Sequence, residues 1–445
     1  MSNARLKNCH LSYSTNVHPA ESLEQLSEML RAHVAPISRA MCGDTIAAIN
    51  LRIGKRQVDE LLSHEPLPSV STLSDEILKA PPSPACEQFL QLLNDLKLDV
   101  VSINAFPITD FHAPRVKEMV YSPPWTDGGR ALYSLKIAKA LTHFMARAGV
   151  ERRQSSISVP SGVFKGLYGD GEEVREQCAH FLTECARELL RLERLTGYTA
   201  QLGLEPEPLT TGETTTEFIE YYKTILATAR LKYPLQLGVT PAKAEEIARR
   251  FITVNLDLCH QSVEFEDPVD DLKQFKAAGI AVSGLHLSAA LKLSEPMQNV
   301  EAFNDLKALN EPRYLHQVVA RQRNGALTRF HDLPELWNTR RRQPFEIADC
   351  SELRCHFHTP LFAELHGALI STRDTVGPAA RFALNEGLTD NFVVETYTWD
   401  TLSRLARQGH ATANTVAGQA DTVDVRAGII KELQWASDEL TIFSS

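Results

Sequence analysis

Apolar positions along this chain follow two alternating rhythms. Short runs rich in Val, Ile and Leu occur at His10–Thr15, Thr45–Ile53, Asp99–Phe106, Ser155–Pro160, Tyr198–Glu205, Phe251–Asp257, Ile280–Ser288 and Asn391–Thr396. Runs of this length and composition predict buried strands. Between them, apolar residues recur every three to four positions, which predicts helices. Ala20–Val34 carries Leu23, Leu26, Leu30 and Val34; Gly129–Ala148 carries Leu132, Leu135, Ala138, Leu141 and Met145; Glu172–Leu195 carries Phe181, Cys185, Leu189 and Leu192. Further helices are expected over Thr215–Leu231, Thr240–Arg250, Pro268–Ala278, Arg373–Glu386, Thr401–Gln408 and Val423–Phe443. Thr240-Pro241 and Asp267-Pro268 each supply a cap residue followed by Pro at the first helical position. Gly149, Gly197, Gly279 and Gly387 stand where helices should stop.

Strand–helix alternation means parallel strands joined by crossover helices. Eight strands predict an α/β fold, a closed (β/α)8 TIM barrel taking residues 1–445 as a single domain, with its chemistry at the C-terminal strand ends. Three segments exceed a minimal barrel. Ser63–Pro84, rich in Ser and Pro, reads as a loop, and Pro107–Asp127 as a long polar and aromatic loop. Lys292–Cys350 is an insertion before the last barrel strand, expected over the C-terminal mouth. Inside it, Tyr314–Gln322 and Ala326–Phe330 flank Asn324-Gly325, a hairpin signal. Arg354–Pro360 is a ninth strand-like run, expected to extend either the barrel wall or the hairpin.

The charge balance narrows the function classes. The 445 residues carry 46 Lys+Arg against 56 Asp+Glu, a net charge of −10. That argues against nucleic acid as a partner, which calls for a basic footprint. The densest basic run, Arg340 to Arg342, reads as a solvated loop. No stretch reaches the ~18–20 consecutive apolar residues of a membrane span, so the chain is not expected to be membrane-embedded. Met1 to Cys9 lacks a signal-peptide core. The eight cysteines form no CxxC pair, so free thiols and a cytoplasmic location are expected. GxGxxG, GxxxxGK[ST] and GxSxG motifs do not occur, which removes the motif arguments for dinucleotide, Walker-type and nucleophile-elbow chemistry.

Polar residues gather at the predicted strand ends. Asn16 and His18 follow the first run, Asn104 and His112 the third, Glu205 and Glu207 the fifth, and Asp257 and His260 the sixth. His286 and Ser288 end the seventh, and Glu395 lies in the last. A carboxylate set into an apolar run is costly to bury unless it is paired or binds a cation. Glu205, Asp257, His286 and Glu395 at neighbouring strand ends make a mixed oxygen–nitrogen set suited to Mn²⁺, Mg²⁺, Co²⁺ or Zn²⁺. The alternative is four separate salt bridges. Glu207 shares a strand face with Glu205; Glu205, deeper in the run, is preferred as the ligand. His356 and His358 share one face of CHFHTP and read equally as pocket rim or as hydrogen-bonded wall. His316 on the hairpin either folds back over the mouth or sits exposed, and the exposed position is the preferred expectation. The Ala105–Trp125 loop, with Phe106, Phe111, His112, Lys117, Tyr121 and Trp125, suits an apolar or sugar-like small metabolite bearing a negative group. Lys165, after the fourth strand, is expected either to meet an anionic group in the pocket or to sit exposed.

The segments SYSTNVHPAES, SINAFPITDFH with VKEMVYSPPW, LGLEPEP, LDLCHQSVEFEDP, RCHFHTPLF and VVETYTW resemble the EboE family of metabolite traffic proteins, from about Ser12 to Trp399. The resemblance implies a xylose-isomerase-like barrel. It also implies membership of the ebo gene cluster, linked to moving a metabolite precursor out of the cytoplasm, with a prenyltransferase-like membrane protein among the cluster companions. The wider superfamily holds a divalent metal on Glu, Asp, His and a final Glu, matching Glu205, Asp257, His286 and Glu395. In its sugar epimerases a His three residues after the metal Asp contacts substrate, matching His260, and two metal-site carboxylates move the proton, matching Glu205 and Glu395. Those epimerases also carry an Arg after the metal His, where this chain offers only Lys292. The expected function is a divalent-metal-dependent isomerase or epimerase of a small sugar-like or carbonyl metabolite. Its expected substrate contacts are Asn16, His18, Asn104, His112, Lys165, Glu207, His260, His356 and His358. The alternative is a non-catalytic binding protein that passes a precursor to a membrane partner.

Overall fold

Each of the eight apolar runs forms a strand in the computed structural model. It describes residues 9–62, 73–147, 149–338, 345–363, 365–366, 369–407 and 424–441. The first seven strands are β1 (His10–Tyr13), β2 (Ala47–Arg52), β3 (Leu98–Asn104), β4 (Gln154–Pro160), β5 (Thr199–Glu205), β6 (Ile252–Asp257) and β7 (Val282–Leu287). Six inserted strands follow: β8 (Leu291–Ser294), β9 (Val318–Gln322), β10 (Leu327–Phe330), β11 (Cys350–Cys355), β12 (Leu365–His366) and β13 (Leu369–Ser371). The last barrel strand is β14 (Asn391–Val394). Barrel strands pair in parallel in the order β1–β14–β7–β6–β5–β4–β3–β2, and a parallel bridge from Ser14 to Asn50 joins the two outer strands. The fold is therefore a (β/α)8 TIM barrel with a hairpin-containing insertion before the last barrel strand.

The helix punctuation acts as expected. Thr240 caps Pro241–Phe251 by accepting from Lys243 N, and Asp267 caps Pro268–Ala277 by accepting from Val269 N and Asp270 N. Glu172–Thr196 ends on Gly197 at φ 77°, a left-handed conformation that a side chain would strain. Other elements differ from expectation. The first helix does not stop at Val34. It widens over Leu30–Val34, where Ala35 N reaches Leu30 O, and continues over Ala35–Cys42. The wider turn accommodates Pro36, which has no N–H to donate and whose ring crowds a regular helix. The segment read as a loop contains the helix Asp75–Lys79, while 63–72 lie outside the described residues. Pro84–Asp95 is the crossover helix before β3. Ser83 capping Cys86 N, Pro84 at the first position and the buried Phe89, Leu92 and Leu93 are its signals. The final helix is described over Val425–Thr441; residues 423, 442 and 443, like Arg340–Arg342, lie outside the description.

The inserted strands form a second, antiparallel sheet in the order β10–β9–β11–β8–β13–β12. The ninth apolar run thus joins the hairpin, not the barrel wall: β11 pairs with β9 and β8. This sheet has its own core around Leu293, Leu306, Val318, Phe330 and Leu353. His316, expected to be exposed, is fully buried, and its Nδ1 lies 2.9 Å from His356 O. The chain entering β9 is tucked against the segment leaving β11, which removes His316 from solvent. Among the described residues no helix is long and apolar enough to cross a membrane.

Candidate metal centre

Strand register places four donors together. β5 ends at Glu205, β6 at Asp257 and β7 one residue past His286, while Glu395 directly follows β14. These strands are adjacent in the barrel order, and Asp257 pairs in register with His286. One ligand atom from each of Glu205, Asp257, His286 and Glu395 lies within 4.8 Å of the others, and all four side chains are buried. His286 Nδ1 is 2.6 Å from Glu395 Oε2, 3.6 Å from Glu205 Oε1 and 3.7 Å from Asp257 Oδ2.

These residues fit a divalent cation. Asp257 Oδ2 and His286 Nδ1 are buried and make no hydrogen bond. A carboxylate oxygen and a ring nitrogen, both buried without a hydrogen-bond partner and both facing common space with two further carboxylates, are the arrangement a metal resolves. Three carboxylates around one imidazole also concentrate negative charge that burial alone disfavours. In the protein without a cation, burial works to lower His286, but Glu395 and Glu205 outweigh it and hold the imidazole well above its ordinary range. Burial tends to raise Glu395, and His286 overcomes that to lower it.

A surrounding shell fixes the donors. Glu395 Oε1 accepts from Asn16 Nδ2 at 2.6 Å and Asn104 Nδ2 at 3.1 Å. Glu205 Oε2 accepts from Ser158 Oγ and, at 3.2 Å, from Asn255 Nδ2, which is also 3.2 Å from His286 Nε2. Asp257 Oδ1 accepts from Ser288 Oγ at 2.7 Å and from His260 N at 3.1 Å, capping the short helix Leu258–Val263. Asn255 has room because residue 284 is Gly; a Cβ there would stand 2.3 Å from Asn255 Oδ1. Such partners orient ligands and tune their affinity. Asn255 escaped the sequence reading, yet it lies two residues before Asp257 on one strand face, which is the signal that could have found it.

A cavity opens beside these donors. Asn16, Asn104, Glu207, His260, His356 and His358 line it, with Glu205 and Glu395 at its floor. Glu207 stands apart from the four-donor group. It accepts from Gln317 Nε2 at 3.0 Å and lies 3.2 Å from His356 Nδ1; burial raises it, but His356 and His260 dominate and bring it down to about 2. Gln317 had no sequence signal, because its role depends on the insertion folding back over the mouth. The Ala105–Trp125 loop contributes Phe106, Phe111 and Tyr121, and the insertion contributes Tyr314 and Leu315.

Three expected substrate contacts lie elsewhere. His18 meets Tyr13 OH at 3.1 Å and stacks on His33, and burial pushes it down to about 3. His112 places Nε2 2.8 Å from Asn16 O. Lys165 Nζ is held by Glu213 and Glu217, each at 2.9 Å. None of the three lines the cavity. Lys117 does, but its ammonium is tied to Tyr314 O and Asp332 Oδ2, each at 2.7 Å, so it fastens the loop to the insertion. Trp125 is core: its Nε1 donates to Pro160 O at 2.7 Å.

No family model and no curated protein matches the chain. Among solved structures it is similar to the probable 3-DHS dehydratase AsbF, involved in petrobactin synthesis, from Bacillus anthracis. That pair shares 11% identity over 96% of this chain and 97% of the other, with a TM-score of 0.42. It is also similar to D-psicose 3-epimerase, solved in the presence of D-fructose, at 10% identity over 62% of this chain and 72% of the other, with a TM-score of 0.31. At this similarity neither neighbour's chemistry transfers to the chain. The barrel assignment rests on the chain's own strand order.

Proposed function

We propose that this protein is a divalent-metal-dependent isomerase or epimerase, xylose-isomerase-like, acting on a small sugar-like or carbonyl metabolite. The observation that carries the reading is the buried set Glu205, Asp257, His286 and Glu395, in which Asp257 Oδ2 and His286 Nδ1 lack hydrogen bonds and Glu205 and Glu395 also line a cavity. A bound divalent cation would polarise a carbonyl oxygen and lower the cost of removing a neighbouring proton. Glu205 and Glu395 are the proton-moving pair in this reading, one on each side of the site. Asn16 and Asn104 orient Glu395, and Ser158 and Asn255 orient Glu205. Glu207, His260, His356 and His358 supply polar contacts to a ligand, and Phe106, Phe111 and Tyr314 supply the apolar wall that keeps water out.

The motif resemblance extends the proposal to the EboE family, with a cytoplasmic location and a precursor passed toward a prenyltransferase-like membrane partner. The test has two readouts. Elemental analysis of purified protein should find a divalent metal that is lost on Glu395→Gln. Incubation with a panel of ketoses in D₂O should place deuterium on the carbon beside the carbonyl, detected by NMR. Metal without exchange on any ketose favours the carrier reading; no metal under any loading condition overturns the metal-dependent enzyme reading.

A further inference from the structure

Beside the four-donor group lies a second convergence of ligand atoms. His260 Nε2 is 3.2 Å from His356 Nε2, which is 3.1 Å from His358 Nε2. All three rings are buried and line the cavity. Hydrogen bonds on the far side of each ring fix its tautomer. His260 Nδ1 faces Pro206 O at 3.0 Å and His358 Nδ1 faces Glu395 O at 2.7 Å; a carbonyl only accepts, so both nitrogens carry the proton. His356 Nδ1 faces Gln317 Oε1 at 2.8 Å and Glu207 Oε1 at 3.2 Å. The Gln317 amide nitrogen is already directed to Tyr121 OH and Glu207, so its oxygen must be the atom facing His356. In the neutral rings, the Nε2 lone pair of His356 therefore faces those of His260 and His358 with no ring proton between them, and Tyr397 OH lies 3.4 Å from the same nitrogen.

We infer that His260, His356 and His358 form a second cation site, of the Zn²⁺ or Co²⁺ class, next to the Glu205–Asp257–His286–Glu395 site. Bonds of about 2.0–2.1 Å in a tetrahedral set put ligand nitrogens about 3.3 Å apart, close to the 3.2 Å and 3.1 Å that separate His356 Nε2 from His260 Nε2 and His358 Nε2. Imidazole ligands favour this class of metal over Mg²⁺ or Ca²⁺. Each ring has the outer hydrogen-bond partner that metal-binding histidines normally have. Asp257 links the two sites, since it groups with His260 and His358 as well as with the four donors.

The second site also bears on ligand class. Among the described residues, Lys117 is the only Lys or Arg lining the cavity, and its charge is committed to Asp332. Glu205, Glu207 and Glu395 put three carboxyl groups in the cavity lining. A cation on the three histidines would offset this and offer an open coordination position to an anionic ligand oxygen, such as a carboxylate or phosphate.

The inference stands beside the metal reading of the first site and is tested separately from it. Full-length protein stripped of metal, loaded with Co²⁺ and desalted, is assayed for cobalt per chain and for visible absorption. Wild type should hold two Co²⁺, with the intense bands of a low-coordinate, nitrogen-rich site. His358→Asn keeps a donor for Glu395 O but removes Nε2; it should hold one Co²⁺ and lose those bands. Glu395→Gln should also hold one but keep them. His356→Asn gives the same readout if His358→Asn does not fold, and equal melting temperatures in EDTA establish that the variants are intact. One Co²⁺ in wild type, unchanged in both Asn variants, overturns the inference and leaves the first site standing. One Co²⁺ that survives Glu395→Gln but not His358→Asn supports the inference and overturns the first-site reading. No Co²⁺ in wild type overturns both.

Discussion

Asn16, just past the first barrel strand, donates from Nδ2 to Oε1 of Glu395, just past the last, at 2.6 Å across 379 residues. The bond ties the two ends of the barrel sequence at the candidate metal centre. It also aims the other oxygen, Oε2, toward His286. Asn16→Ala should weaken divalent-metal affinity about 10- to 100-fold, the range for lost outer-shell partners. Titration against a competing chelator measures this. Unchanged affinity would make the bond purely structural.

Glu395→Gln separates ligand from ion-pair partner. As a ligand, its loss should abolish most of the metal-dependent stabilisation, which for a bound cation at 100 times its Kd is about 2.7 kcal/mol. Folding in EDTA should persist, because His286 retains Glu205 and Asp257 nearby. Thermal melts of wild type and variant, with EDTA and with Mn²⁺, check both statements. A variant still stabilised by Mn²⁺ as much as wild type would remove Glu395 from the site.

Glu432 predicts a pH effect far from the cavity. It is buried, and burial raises its carboxyl to about 8, against the hydrogen bonds from Thr396 and Leu361. A folded-state pKa above the unfolded value means that the native state binds more protons between the two. Stability from this group is full below about pH 4.5 and declines as pH rises toward about 8. Glu432→Gln keeps an oxygen for both donors and cannot ionise. It should stabilise the protein by up to roughly 4 kcal/mol at pH 8 and little at pH 4.5. Denaturant melts at the two pH values test this; equal effects at both would refute it.

Lys117 joins the Ala105–Trp125 loop to the insertion through Tyr314 O and Asp332 Oδ2. Lys117→Met should cost about 1.5–3 kcal/mol locally, the range for hydrogen bonds to charged groups. Amide hydrogen exchange should quicken over residues 311–332 and stay unchanged in the barrel strands. Uniform exchange across the chain would show that the clamp does not hold the insertion separately.

The barrel was legible in the chain because its strands and helices are specified locally. Eight short apolar runs, Pro after Thr240 and Asp267, and glycines such as Gly197 set element type and ends through backbone chemistry that neighbouring residues decide. Three carboxylates and His286 stood out for the same reason: each is a polar residue at the end of an apolar run, and parallel register carries strand ends to one rim. Helix Pro84–Asp95 carried readable signals that went unused, whereas the widened turn before Pro36 depends on packing around the whole helix. Partner choice was not legible. Whether Lys117 and Lys165 are free cations depends on Asp332, Glu213 and Glu217, and on chain segments folding onto one another. His316 could not be known as buried, nor His260, His356 and His358 as convergent, until the insertion formed its own sheet and returned over the mouth. Hydrophobic periodicity is a property of neighbours in sequence. The meeting of charged and imidazole side chains follows from chain closure over hundreds of residues, so the tertiary structure alone decides which of them face a common point.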